Sequence, residues 1–104
     1  EEQAKKFGVR APMVGHMGDG NFHVVLPYDP AKKEMYKQIR AFNDTLIKKA
    51  LELNGTITGE HGVGLHKKEY LLEQHPDNIP VMKSIKRTLD PNNIMNPGKI
   101  FDLN

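Results

Sequence analysis

At 104 residues, with 38% hydrophobic residues, fifteen basic and thirteen acidic side chains and no cysteine, the chain has room for one domain at most and a modest core. Its charges are interspersed, without a long Lys/Arg block, so nucleic acid finds no electrostatic footprint. The lack of cysteine excludes disulfides, thiolate zinc sites and thiol nucleophiles.

Residues 1–6 read as the tail of a helix. A chain that opens on Glu1 in such a tail reads as a piece of something longer. Met13 to Met17 and Phe22 to Leu26 are apolar-rich runs flanking Gly18-Asp19-Gly20-Asn21. Asp-Gly between two such runs is a strong hairpin signal. Pro27 and Pro30 close that unit. Ala31 to Leu53 predicts a long helix, because Tyr36, Ile39, Phe42, Leu46, Ala50 and Leu53 recur every three or four residues. Asn54-Gly55 supplies its stop. Thr56 to Thr58 predicts a β-branched strand. Leu65 to Gln74, ended by His75-Pro76, predicts another helix. So does Ile79 to Leu89, with Pro80 in its first turn. Asp90-Pro91-Asn92-Asn93 reads as a turn and Asn96-Pro97-Gly98-Lys99 as an ordered loop. The sum is an α+β fold, a small antiparallel sheet covered by helices on one face. No apolar run nears the roughly 20 residues that span a bilayer, and no signal peptide is visible. The expectation is a cytoplasmic or membrane-peripheral protein. Asn-x-Thr sequons at Asn43 and Asn54 read as chance.

Chemistry concentrates in two blocks, Gly15-His16-Met17-Gly18-Asp19-Gly20-Asn21-Phe22-His23 and Gly55-Thr56-Ile57-Thr58-Gly59-Glu60-His61-Gly62-Val63-Gly64, which hold three of the five histidines. A two-residue loop at Asp19-Gly20 would pair Gly18 with Asn21, Met17 with Phe22 and His16 with His23. Directly opposite residues share a face, so the two imidazoles would stand side by side. The same register puts Met13, Met17, Phe22, Val24 and Leu26 on the other, core-like face. Two such imidazoles can bind one divalent ion, and Glu60 is the best third ligand. A His-His-Glu set leaves positions open for water or substrate. Spacing alone weighs this equally against a satisfied cross-strand histidine pair. Asp19 is a second ligand candidate, though turn aspartates mostly serve backbone hydrogen bonds.

Glu60 and His61 would point to opposite sides of a strand, and face one cavity only at a bend, which Gly59, Gly62 and Gly64 suit. His61 is then a candidate general base, or else a histidine bonded to backbone. His66 and His75 read as surface residues. No dinucleotide fingerprint or phosphate loop is present, and the only serine, Ser84, lies mid-helix. Serine and cysteine hydrolases are thereby disfavoured.

These two blocks, followed in order by Leu89-Asp90-Pro91-Asn92-Asn93-Ile94-Met95-Asn96-Pro97-Gly98-Lys99-Ile100, resemble the C-terminal end of FAD-linked oxidases of the vanillyl-alcohol oxidase type. The likeness runs from about Phe7 to Phe101 and is nearest to the glycolate oxidase FAD-binding subunit, D-lactate dehydrogenase and D-2-hydroxyglutarate dehydrogenase. It implies oxidation of a D-2-hydroxy acid to the 2-oxo acid, with hydride passing to the flavin. It implies His16, His23 and Glu60 as ligands of a divalent ion, zinc foremost and manganese next. His61 is implied as the catalytic base, and Asn96 and Glu60 as cofactor contacts. Val25 stands where hydroxyglutarate enzymes carry Asn, which favours glycolate or lactate. The resemblance also implies that residues 1–104 form the substrate and metal side, that a separate FAD-binding domain of the parent protein supplies most FAD contacts, and that this piece alone is inactive. Self-association of the piece is expected. Against this stand a stand-alone metal-binding module and a ferredoxin-like interaction domain with structural histidines.

Overall fold

A hairpin and a 20-residue amphipathic helix organise the first half of the chain. The computed structural model describes residues 1–103, in two units, Glu1–Asn54 and Gly55–Asn104. The first unit comprises α1 (Glu2–Lys6), β1 (Met13–His16), β2 (Asn21–Val24) and α2 (Lys33–Glu52). The second comprises α3 (Lys68–Gln74) and α4 (Ile79–Leu89). The architecture is α+β, as the sequence predicts.

The first unit has its core between α1, α2 and the base of the hairpin. Ile39 and Phe42 of α2 bury beside Ala4 and Val9, and Phe7, Val24, Leu26 and Leu46 pack around them. Phe42 is 3% exposed and meets Phe7 edge to face at 6.1 Å. Burial of such a ring stabilises by about 3 kcal/mol. α2 starts at Lys33 rather than Ala31, because Asp29 Oδ1 accepts from Ala31 N at 3.0 Å and turns the lead-in residues. It stops where expected, on Asn54 in the left-handed region (φ 59°). Two positions predicted for its buried face lie outside it: Leu53 is exposed, and Tyr36 packs its ring on Tyr28 at 5.7 Å.

The hairpin forms in a different register from the one predicted. β1 and β2 pair Met13 with Val24, Val14 with His23, Gly15 with Phe22 and His16 with Asn21. The loop is four residues, a 3-10 turn over Met17–Asp19 followed by Gly20 in the left-handed region (φ 70°). That turn draws Met17 and Gly18 out of the ladder. The shift is two residues, so face assignments survive: His16, Asn21 and His23 remain on one side. The two histidines become diagonal rather than opposite neighbours. Of the apolar side, Val24 and Leu26 reach the core, while Met13 at the open end of the ladder and Met17 and Phe22 toward the tip stay exposed.

In the second unit, the strand predicted at 56–58 does not form among the described residues. The side chain of Gln74, at the end of α3, takes the place of a partner strand. Its Oε1 accepts from Ile57 N at 3.1 Å and from Thr56 Oγ1 at 3.2 Å, while Ile57 is buried. α3 begins three residues later than predicted, at Lys68, behind a left-handed Gly64 whose carbonyl accepts from Ile100 N at 2.8 Å. α4 has the predicted bounds, with Pro in its first turn.

Gly15 is where the strands need a glycine. A Cβ there would stand 2.6 Å from both Asn21 O and Phe22 Cα, which are backbone atoms that cannot swing aside. Gly15→Ala is expected to destabilise the first unit by about 2–3 kcal/mol, read as a lower urea midpoint. Gly18→Ala, with nothing within 4 Å of its Cβ, is expected to change it little. Equal midpoints for the two variants would refute this account of the hairpin.

Candidate functional site

The site residues expected from sequence fall on three pieces of backbone. On the hairpin, His16 ends β1 and caps the 3-10 turn, while His23 lies half-buried in β2. Diagonal positions on one face of a ladder lie about 7–8 Å apart, still within reach of long side chains. Asn21 lies between the two histidines on that face. Val25 follows on the same side and is 52% exposed.

The second piece is the turn over 59–62. Gly62 N donates to Gly59 O at 3.2 Å, and Gly62 is left-handed (φ 72°). Thr58 Oγ1 donates to Gly62 O at 2.8 Å, and Lys67 Nζ donates to Thr58 Oγ1 at 3.0 Å. The chain therefore turns sharply at Glu60-His61, where the glycines anticipated a bend. As a result, adjacent side chains that would diverge in a strand converge. His61 Nε2 lies 3.6 Å from Glu60 Oε1, with both side chains more than half exposed. A carboxylate and an imidazole that converge like this can share one cation, or orient one another for proton transfer.

The third piece is the loop after α4. Asn96 is exposed in the left-handed region (φ 49°), and Lys99 N donates to its carbonyl at 3.3 Å. Asp90, which the sequence marks only as part of a turn, anchors the loop. It is the buried charged residue among the described positions, 6% exposed. Lys86 Nζ donates to one of its carboxylate oxygens. Ile94 N and Met95 N, both at 2.9 Å, also donate to the carboxylate. Lys86 Nζ further donates to Met95 O. The signal that marks this clamp is Lys86-x-x-x-Asp90, an i,i+4 pair across the end of a helix. His66 is exposed and His75 half-buried at the end of α3, neither in these three pieces.

Residues 1–100 match the family described as FAD linked oxidases, C-terminal domain. Among curated proteins the chain is 45% identical over 96 residues to a probable D-lactate dehydrogenase, mitochondrial, of Danio rerio, covering 91% of this chain and 19% of that protein. It is 41% identical over 99 residues to the glycolate oxidase subunit GlcD of Bacillus subtilis, covering 94% and 21%. It is 42% identical over 90 residues to a D-2-hydroxyglutarate dehydrogenase of Stutzerimonas stutzeri, covering 84% and 19%. The chain thus spans about a fifth of the length of these relatives. Among its described residues, no helix is long and apolar enough to cross a membrane.

The clamp has a definite pH signature. The Lys86 hydrogen bond, then the amides of Ile94 and Met95, hold the Asp90 carboxyl at about 2, below the ordinary 3.8, with burial opposing. A carboxyl lowered in the folded state contributes stability that is present above the ordinary value. That contribution is lost as pH falls through the folded one. Hydrogen exchange at Ile94 and Met95 is therefore expected to keep full protection at pH 4 and to lose it, relative to the helix interior of α4, as pH falls toward 2. Protection that fades already between pH 6 and 4 would contradict this.

Proposed function

This chain belongs to the C-terminal domain family of the FAD linked oxidases, and from that premise we propose that it forms the substrate side of a flavoprotein that oxidises a D-2-hydroxy acid to the 2-oxo acid. The match over residues 1–100 carries this reading, and the Glu60-His61 turn supplies the chemistry it needs. Bound FAD would supply the acceptor for the hydride from the substrate C2, and a bound divalent ion the positive charge that polarises the substrate hydroxyl. The residues present fit both groups. Two imidazoles on one hairpin face and a carboxylate on a braced turn are the donor types that zinc and manganese take, with coordination positions left open. An exposed amide at Asn96 on an anchored loop offers a donor and an acceptor to a flavin edge.

In this reading His16, His23 and Glu60 hold the ion, and Glu60 serves the cofactor side as well. His61 takes the hydroxyl proton as the C2–H bond breaks, with its Nε2 3.6 Å from Glu60 Oε1. Val25 offers no hydrogen bond to a distal carboxylate, which favours glycolate or D-lactate over a dicarboxylate substrate. The named relatives are far longer dehydrogenase and oxidase chains, so a stand-alone module without redox activity draws no support from them.

The parent flavin domain is the proposed partner. Val81, Ile85 and Leu89 of α4, spaced to share one helix face, are 56–74% exposed. On its own, the chain is expected to self-associate through such apolar surface, giving a light-scattering mass above 11.8 kDa. A monodisperse monomer would count against it.

The reaction itself is tested in the protein that joins this chain to its flavin domain. Anaerobic addition of D-lactate or glycolate is expected to bleach the flavin, with near-stoichiometric metal by elemental analysis. His23→Ala is expected to lose the metal and to slow bleaching by about a hundredfold or more. A metal-free wild type that still bleaches at full rate would rule out the proposed ion.

A further inference from the structure

The loop that carries Asn96 has an unusual backbone. Within eight residues, Asn93 (φ 51°), Asn96 (φ 49°) and Ile100 (φ 69°) all occupy the left-handed region. Asparagine tolerates that region, but a β-branched isoleucine there is a genuine outlier. Such strain persists only where the surroundings over-determine it. Here the surroundings do so at both ends. At the start, Asp90 accepts from the amides of Ile94 and Met95 while Lys86 ties the Asp90 carboxylate to the Met95 carbonyl. At the far end, Ile100 N donates to Gly64 O at 2.8 Å, two residues beyond the turn that bears Glu60 and His61.

A lysine-carboxylate pair is a demanding way to end a helix, because a left-handed glycine and a single backbone bond would do so. Burying Asp90 at 6% exposure is tolerated because three donors reach it. The clamp fixes the direction of departure from α4 rather than merely stopping it.

We propose that Asp90, together with Lys86, is a positioning pair: it holds the loop 94–100 in its strained shape so that Asn96 meets the cofactor in one orientation. Gly64 closes the far end of the same strap and thereby couples the Asn96 loop to the Glu60-His61 turn. The role rests on the flavoprotein reading above, whereas the clamp's hold on the loop does not.

The test uses the flavin-containing protein with Asp90→Asn, Lys86→Gln and Lys86→Arg. An asparagine amide keeps one accepting oxygen but presents an NH2 group to donors that the other carboxylate oxygen serves, so the first variant weakens the clamp while the side chain keeps its shape. The expected result for Asp90→Asn and Lys86→Gln is a kcat lower by at least about tenfold, with KM for the hydroxy acid within about twofold and an altered visible flavin spectrum. Lys86→Arg, which keeps a cationic donor, is expected to recover most of kcat. Helix content by circular dichroism checks that each variant folds. If Asp90→Asn does not fold, the comparison of Lys86→Gln with Lys86→Arg decides alone. Faster amide exchange at Ile94 and Met95 with unchanged kcat and flavin spectrum would overturn the positioning role. Wild-type flavin that no D-2-hydroxy acid reduces would overturn the reaction instead. The exchange comparison would then stand by itself: equal exchange in wild type and Asp90→Asn overturns the clamp.

Discussion

Apolar burial is scarce in this chain, and the way its loops are held follows from that scarcity. No described side chain is wholly buried, and the contiguous core found among the described residues, around Ile39 and Phe42, lies in the first unit. A chain of this size has modest apolar burial with which to fix its loops. Polar side chains take over, each by satisfying backbone donors or acceptors that would otherwise face water. Gln74 meets the amide of Ile57, Thr58 braces the turn at Gly62 with Lys67 behind it, and Asp90 gathers the amides of Ile94 and Met95. Net contributions of about 1 kcal/mol per bond are small individually. Their value here is directional, because each fixes where a loop leaves an element.

These braces fall on the pieces that carry the candidate chemistry. Lys67 and Thr58 shape the turn that turns Glu60 toward His61, and Asp90 and Lys86 shape the loop that presents Asn96. Neither job could be given to an apolar contact without burying the groups that must remain accessible. Ordering a functional loop with charged and hydroxyl side chains leaves its face open to a ligand and its backbone rigid.

Much of this was legible in the sequence where the determinant is local. Helix periodicity located α2, and Asn54 and Pro80 marked the stop of α2 and the start of α4 as their backbone preferences require. In the second unit the misplacements arose where a distant residue decided the outcome. Thr56 to Thr58 has strand propensity, but the partner that satisfies it is the side chain of Gln74, seventeen residues from Ile57. Lys68 rather than Leu65 opens α3 behind a glycine whose carbonyl accepts from Ile100. Asp90 looked like an ordinary turn residue because its three donors lie on both sides of it, and a one-directional spacing rule sees only the lysine.

The hairpin shows why an error in register need not become an error in chemistry. The Asp-Gly signal predicted a two-residue loop, whereas a 3-10 turn over Met17–Asp19 lengthens it to four. A one-residue slip would have sent one histidine to the opposite face, because strand side chains alternate with period two. The actual change moves the pairing by two, so His16, Asn21 and His23 keep a common side while His16 and His23 trade opposite places for diagonal ones. What the alternation of polar and apolar residues encodes is therefore the face, and the turn chemistry encodes the register. Gly15 joins the two: with Asn21 O and Phe22 Cα only 2.6 Å from where its Cβ would be, it admits the observed ladder and leaves no room for a side chain beside the histidine that follows it.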